Sequence, residues 1–229
     1  MGFKGFSKEG DRFFLELAMR QDRDWFKAHK EQYESLWVAP MQALLADLRP
    51  GLQRAFKGFK LAPDKIFRLQ RDVRFSKDKS PYKTFASAVV KLDDGSGTDI
   101  SNGTPAAIYF QFGSSETVAL GHWMFEGPAL EKYRQLLLDD KKGVAIAAKV
   151  RKLGEKGFTV GAFETLKKAP RGVDPNHPRA WLLVHKGLGL EFPKIPAKVR
   201  HSAQLSKWIL EHVKLAAPLV CELEKWRRK

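Results

Sequence analysis

The spacing of apolar residues changes twice along this chain of 229 residues, and this change constrains its fold more than any other feature. Near the start, Phe13, Phe14 and Leu17 repeat at helical spacing. Further on, apolar residues occupy alternate positions in four stretches that predict strands: residues 66–75, 85–92, 106–113 and 116–123. Helical spacing returns after Gly127. Helices, then clustered strands, then helices predict an α+β fold rather than alternating βαβ units.

Capping residues and prolines give the expected helix boundaries. Ser7 and Asp22 are suitable N-caps for the first two helices, and a third helix follows Pro40. We expect Pro50 to end or bend that third helix early. Later elements are expected as helices over 142–153, from His177 to Leu182 and from Gln204 to Trp226 with a break at Pro218, and as short strands at 157–161 and 188–192.

These elements predict one α+β domain over residues 1–229. Its centre is expected to be a mainly antiparallel sheet, led by strand 66–75 and covered by the N- and C-terminal helices.

Cysteine and hydropathy patterns limit the compartment and the class of protein. Cys221 is the single cysteine, which excludes an intrachain disulfide and a multi-cysteine zinc site. The N-terminus lacks the apolar region of a secretory signal, and no stretch approaches the roughly 18 apolar residues of a membrane helix. We therefore expect a cytoplasmic protein with no membrane partner.

The net charge of +15 is distributed unevenly along the chain. Residues 141–229 carry 20 basic and 7 acidic side chains, whereas residues 84–140 carry 3 basic and 8 acidic ones. Such a balance favours acidic partners, which include anionic small molecules and nucleic acid. It predicts nothing about the oligomeric state.

The basic segment, residues 65–83, holds seven Lys and Arg against two Asp. Its alternation places Phe67, Leu69, Val73 and Phe75 on one side of an extended chain and the polar residues, with Arg68 and Arg74 among them, on the other. Arg side chains bind carboxylates and phosphates in a bidentate manner. The strand and the loop after it, residues 66–85, therefore predict a platform for an anionic, phosphorylated ligand. The predicted ligand-binding residues are Arg68, Arg71, Arg74, Ser76, Lys77, Lys79, Tyr82, Lys83 and Arg134.

Three alternatives to this predicted anion site stay open. In the first, it is a structural ion-pair network, in which Asp72 pairs with Arg68 or Arg74 and Asp78 pairs with lysines. In the second, the protein is an enzyme of phosphoryl or hydrolytic chemistry that uses Asp72 or Asp78 as its acid or base. In the third, the basic last third of the chain binds nucleic acid. The common nucleotide, metal and hydrolase motifs are absent from the sequence, so we expect neither a metal nor a cofactor.

The run IFRLQRDVRFSKDKSPYKTF resembles the signature of the DUF2461 family, a domain of unknown function. Three further stretches are similar in the same order: DRDWFKAHKEQY, GHWMFEGPALEKYRQLL and LKKAPRGVDPNHPRAWLL. The resemblance implies a compact α+β domain and supplies no reaction, ligand or catalytic residue. His122 departs from the small residues expected at its position, so it receives little weight as a shared site. Lys167 and Lys168 could complete the predicted site together with Arg134.

Overall fold

The computed structural model describes residues 2–74, 77–95 and 103–229. The first helices begin at the predicted caps. Helix α1 (Lys8–Arg20) starts where Ser7 Oγ accepts a hydrogen bond from the N–H of Gly10, and α2 (Arg23–Ala28) starts where Asp22 accepts one from Trp25. Helix α3 (Lys30–Tyr33) leads through a π-helical turn, Glu34–Val38, into α4 (Ala39–Ala55).

Both internal prolines lie inside helices that continue past them. Helix α4 runs beyond Pro50 to Ala55, and α9 (Gln204–Arg227) runs through Pro218. Of the two expected effects of Pro50, an early end of the helix was wrong. Helix α4 packs along α9, and Gly51 allows this close approach, because a β-carbon there would lie 2.6 Å from a methyl carbon of Leu210.

Seven antiparallel strands form the sheet in the order β1-β3-β4-β5-β7-β6, with β2 also paired to β3. The three long strands match the predicted ones, and all strands are the following: β1 (Lys60–Leu61), β2 (Lys65–Ile66), β3 (Phe85–Asp93), β4 (Ala107–Gly113), β5 (Thr117–His122), β6 (Thr159–Gly161) and β7 (Leu188–Glu191). Seven antiparallel strands with helices from both ends of the chain confirm the α+β prediction.

The prediction of one long strand over residues 66–75 was wrong. Only Lys65–Ile66 pairs as a strand, and the chain then leaves the sheet. The N–H of Phe67 still donates to Ser87 on β3, and residues 69–71 are then held by two backbone bonds to residues 81–83 and by an isolated bridge between Gln70 and Tyr82. The single-sided alternation fails as well, because Phe67 contacts Tyr109 on the sheet whereas Leu69 is buried in the core. Phe75 lies outside the described residues.

Helices from the second half of the chain complete the core. They are α5 (Gly127–Leu138), α6 (Lys142–Gly154), α7 (Ala180–Leu183), α8 (Ala197–Arg200) and α9. Helix α7 begins at Ala180, three residues after the predicted start at His177. No helix in the described ranges is both long and apolar enough to cross a membrane.

The two faces of the sheet differ in what covers them. One face, here called the core face, carries Ala88, Val90, Phe110 and Leu120, which join the main hydrophobic core beneath α1, α4 and α9. The alternate residues point to the opposite face, here called the outer face. Val89 and Ala107 on that face are buried but lie outside the main core.

Candidate functional site

Two antiparallel backbone bonds bring three cationic side chains of the basic segment together. The N–H of Arg71 donates to Pro81 (2.9 Å), and the N–H of Lys83 donates to Leu69 (3.0 Å). The pairing places Arg71 and Lys83 on neighbouring segments, and the ammonium of Lys83 also reaches the backbone of Arg68. These three residues, Arg68, Arg71 and Lys83, are here called the basic cluster.

Side-chain contacts hold the basic cluster in place. Lys83 Nζ donates to the carbonyl of Arg68 (3.4 Å), and Arg71 Nη2 donates to the carbonyl of Tyr82 (3.3 Å). The guanidinium of Arg71 also lies 3.3 Å from Asp78. Backbone carbonyls therefore hold the side chains of Lys83 and Arg71, and Arg68 presents an exposed side chain beside them, so like charges stay close without full neutralisation.

The pKa of Lys83 reflects the nearby positive charges. Partial burial and the positive charges of Arg71 and Arg68 lower the pKa of the Lys83 ammonium from its usual 10.5. A bound anion would relieve the repulsion among the three groups, because it supplies the negative charge that they lack.

Arg74 and Lys79 do not join the basic cluster. Two nitrogens of the Arg74 guanidinium donate to the carboxylate of Asp72, at 3.0 and 2.7 Å, on the exposed surface. Lys79 Nζ donates to the carbonyl of Val73 (2.8 Å). Lys77 is exposed. The ion-pair interpretation thus fits Asp72 and Arg74, while Asp78 pairs with Arg71 rather than with a lysine.

Two other predicted ligand residues in the described part of the chain, Tyr82 and Arg134, have their side chains outside the basic cluster. Tyr82 was predicted to bind the ligand, but its side chain is buried and its ring centroid lies 4.5 Å from that of Phe26. Arg134 lies on α5, a helix that packs against α6 and α7. Ser76 lies outside the described residues.

Neither candidate acid or base has the raised pKa that suits a general acid. Hydrogen bonds from Arg74 lower the pKa of Asp72 to about 2. Hydrogen bonds from Ser80, and then the charge of Arg71, lower the pKa of Asp78. Both carboxylates are therefore ionised and weakly basic at neutral pH.

A cleft on the outer face of the sheet borders the basic segment, and the sequence alone did not reveal it. Its volume is about 500 Å³, and four of its eleven lining residues are aromatic: Phe67, Tyr109, Trp123 and Phe163. We call it the aromatic cleft. Small residues make the hollow, because Ala107 and Ala119 lie beside Tyr109 on the same face.

Trp123 forms a wall of the aromatic cleft because glycines lie beneath it. Gly121 pairs with Gly189, and Gly189 pairs with Gly161, so three neighbouring strands present a surface without side chains. The indole lies on Gly189, and its ring centroid is 5.7 Å from that of Phe163, with the two rings tilted by 30°. Phe163 itself is 72% exposed, which is unusual for so large an apolar side chain.

A buried polar network ties the end of β5 to the last turns of α9. His122 Nε2 lies 2.7 Å from Glu224, and the same carboxylate accepts bonds from Arg227, Arg228 and the N–H of Ala106. Burial alone would raise the pKa of Glu224, but the bonds from His122 and Arg227 outweigh it, so the pKa lies below its usual value. The network was not predicted, since its histidine and glutamate are far apart in sequence.

A second internal cluster forms around Arg200. Its buried guanidinium binds Asp11 through two nitrogens and lies 2.6 Å from Glu116 through a third. Arg179 is likewise buried, and it donates to the carbonyls of Leu137 (2.6 Å) and Leu138 (2.9 Å) at the end of α5. Part of the positive charge after residue 140 is therefore used inside the fold.

One comparison with known proteins gave a match, to the model of a protein family. A family model described as a conserved hypothetical protein (DUF2461) matches residues 11–221, which include the basic segment and every strand of the sheet. Searches among curated proteins and among solved structures found no match.

Proposed function

The chain belongs to the DUF2461 family of conserved hypothetical proteins, and we propose that it binds a phosphorylated, anionic ligand through Arg68, Arg71 and Lys83. The observation that carries this proposal is the mutual placement of the three cations by the pairing of residues 68–71 with 81–83. A guanidinium supplies paired donors and an ammonium supplies a point charge, and phosphate oxygens accept both.

The surroundings of the basic cluster support neutralisation by a bound anion rather than by carboxylates of the protein itself. In the described part of the chain, Asp78 is the carboxylate within ion-pair distance of the basic cluster, and among the three cations it pairs with Arg71. Arg68 is exposed, and Lys83 is partly buried beside the rings of Phe67 and Phe85. One carboxylate against three cations leaves net positive charge beside Phe67, the residue that connects Lys83 to the aromatic cleft.

Binding of phosphate, pyrophosphate and polyphosphate, measured by thermal shift and calorimetry, tests this proposal. A ligand that binds only the native state raises the midpoint of unfolding. We expect Lys83→Gln and Arg68→Gln each to weaken binding at least several-fold. Lys77→Gln is the matched control, because it removes the same charge from an exposed position of the same segment.

Equal losses in Lys77→Gln and Lys83→Gln would show that general positive charge, and not the basic cluster, attracts the anion. Binding only to short DNA or RNA, with steep loss at higher salt, would favour the nucleic-acid alternative instead. Asp72→Asn serves as a test of the enzymatic alternative, and we expect it to leave anion binding intact.

A further inference from the structure

The ring of Phe67 belongs to two sites at once. It lines the aromatic cleft and packs against Tyr109, with ring centroids 6.4 Å apart. It also lies beneath the ammonium groups of Lys65 and Lys83, which are 5.5 and 5.7 Å from its centroid. A ligand that fills the cleft is therefore separated from the basic cluster by a single aromatic side chain.

We propose that the ligand is a nucleotide, whose base occupies the aromatic cleft and whose phosphates reach Lys83 and Lys65. This inference rests on the proposed function and adds the class of ligand to it. A phosphate or polyphosphate alone would make no use of four aromatic walls. A flat heterocycle stacks on such rings, and small-molecule sites of this volume are typically apolar with a few polar groups.

The outer face is electrically polarised along one row of paired residues. Lys65 pairs with Val89, Val89 with Tyr109, Tyr109 with Ala119 and Ala119 with Glu191. The row therefore runs from a cation beside the basic cluster, across the aromatic ring of Tyr109, to a carboxylate. A nucleotide matches this polarity when its phosphates point towards Lys65.

The opposite end of the row suits the uncharged part of a nucleotide. Glu191 accepts a hydrogen bond from Thr117 Oγ1 (3.3 Å), and both residues line the cleft. A carboxylate accepts bonds from sugar hydroxyls or from a base amine, and it repels phosphate. Lys91, which also lines the cleft, lies in the neighbouring row opposite Ala107.

Three probes separate the parts of this proposal: pyrophosphate, adenosine and ADP, each measured by calorimetry on the full chain. We expect ADP to bind more tightly than either part alone. Stacking on one aromatic side chain contributes roughly 5- to 150-fold in affinity, so Tyr109→Ala should reduce ADP binding by at least about fivefold. The same variant should leave pyrophosphate binding unchanged. Tyr109→Phe, which keeps the ring, should retain ADP binding.

Phe163→Ala provides a second test, because its exposed side chain can be removed with little effect on folding. It too should weaken ADP and spare pyrophosphate, whereas Lys83→Gln should weaken both. Equal binding of ADP and pyrophosphate, unaffected by either cleft variant, would overturn the nucleotide and leave the proposed anion site standing. Binding of neither would overturn both. Binding of single-stranded oligonucleotides without ADP would overturn the mononucleotide in favour of a nucleic-acid surface.

Discussion

The indole of Trp123 lies so close over Gly189 that a β-carbon at this glycine would be 2.5 Å from ring atom Cζ3. Contact at that distance forces the ring or the strand to move. The same ring is 4.0 Å from the position of a β-carbon at Gly161 on the neighbouring strand. The orientation of this cleft wall therefore depends on one glycine much more than on the other.

Gly189→Ala should displace Trp123 and lower the free energy of unfolding by about 1–3 kcal/mol, as overpacking does elsewhere. Gly161→Ala is the matched control, and it should change stability by less than about 1 kcal/mol. Urea denaturation of both variants, with tryptophan fluorescence as the signal, measures the difference. Equal effects would show that the indole moves freely over this surface.

Glu224 should be critical for stability, because it is the acceptor on which the buried network converges. Glu224→Gln leaves buried cations without their carboxylate and should cost about 3–5 kcal/mol. Glu222→Gln on the same helix removes an exposed partner of Lys149 and should cost less than about 1 kcal/mol. Chemical denaturation at pH 7 compares the two. Similar midpoints for both would mean that the network contributes no net stability.

The stabilising contribution of His122 should depend on pH. Burial lowers the pKa of His122 from its usual 6.5, despite the opposing effect of Glu224. The unfolded chain therefore takes up this proton at a higher pH than the folded chain does. Stability from neutral His122 is present above pH 6.5 and decreases as the pH falls below it, by up to about 1.4 kcal/mol per pH unit.

His122→Gln, whose amide can still donate to Glu224, removes that titration. We expect the stability difference between the parent chain and this variant to shrink between pH 7 and pH 5. His185, whose pKa is also lowered by burial, is present in both chains and cancels in the difference. A gap that widens on acidification would show that folded His122 is protonated and paired with Glu224.

Arg200 should anchor the start of α1 to the β4–β5 hairpin, because it contacts both Asp11 and Glu116. Arg200→Ala leaves these carboxylates without their partner, and it should destabilise the fold by about 3–5 kcal/mol. Lys198→Ala, on the exposed side of the same short helix, is the control and should be nearly neutral. Calorimetric melting of the two variants distinguishes an anchor from an incidental pair.

The sequence predicts those parts of the fold that depend on near neighbours. The alternation in β3, β4 and β5 is local, so their bounds were recovered within a residue or two. The departure of the chain after Ile66 was not predictable, because burial of Leu69 depends on helices distant in sequence. The pairs that form the internal clusters, His122 with Glu224 and Asp11 with Arg200, are 102 and 189 residues apart. No local pattern reports such a pairing.

The same limit explains what was found of the candidate site. The composition of the basic segment predicts an anion-binding platform. The side chains that come together are Arg68, Arg71 and Lys83, and not Arg74 or Lys79. The sequence does not predict the aromatic cleft, because its glycines and alanines have no functional groups that mark them as site residues. Their role is visible only in the strand register, which places Gly121, Gly189 and Gly161 in one row beneath Trp123.

Strand β3 is protected along its second edge by two pieces of chain rather than by one strand. Lys60–Leu61 pairs with Leu92 and Asp93, and Lys65–Ile66 pairs with Ala88 and Val89, with a further bond from Ala62 to Lys91 between them. A long apolar strand with free backbone groups would recruit a like strand from another molecule. Here the edge consists of two short pieces that carry charged residues, so it offers no continuous template along the paired part of β3. This arrangement opposes aggregation while the outer face of the sheet stays open.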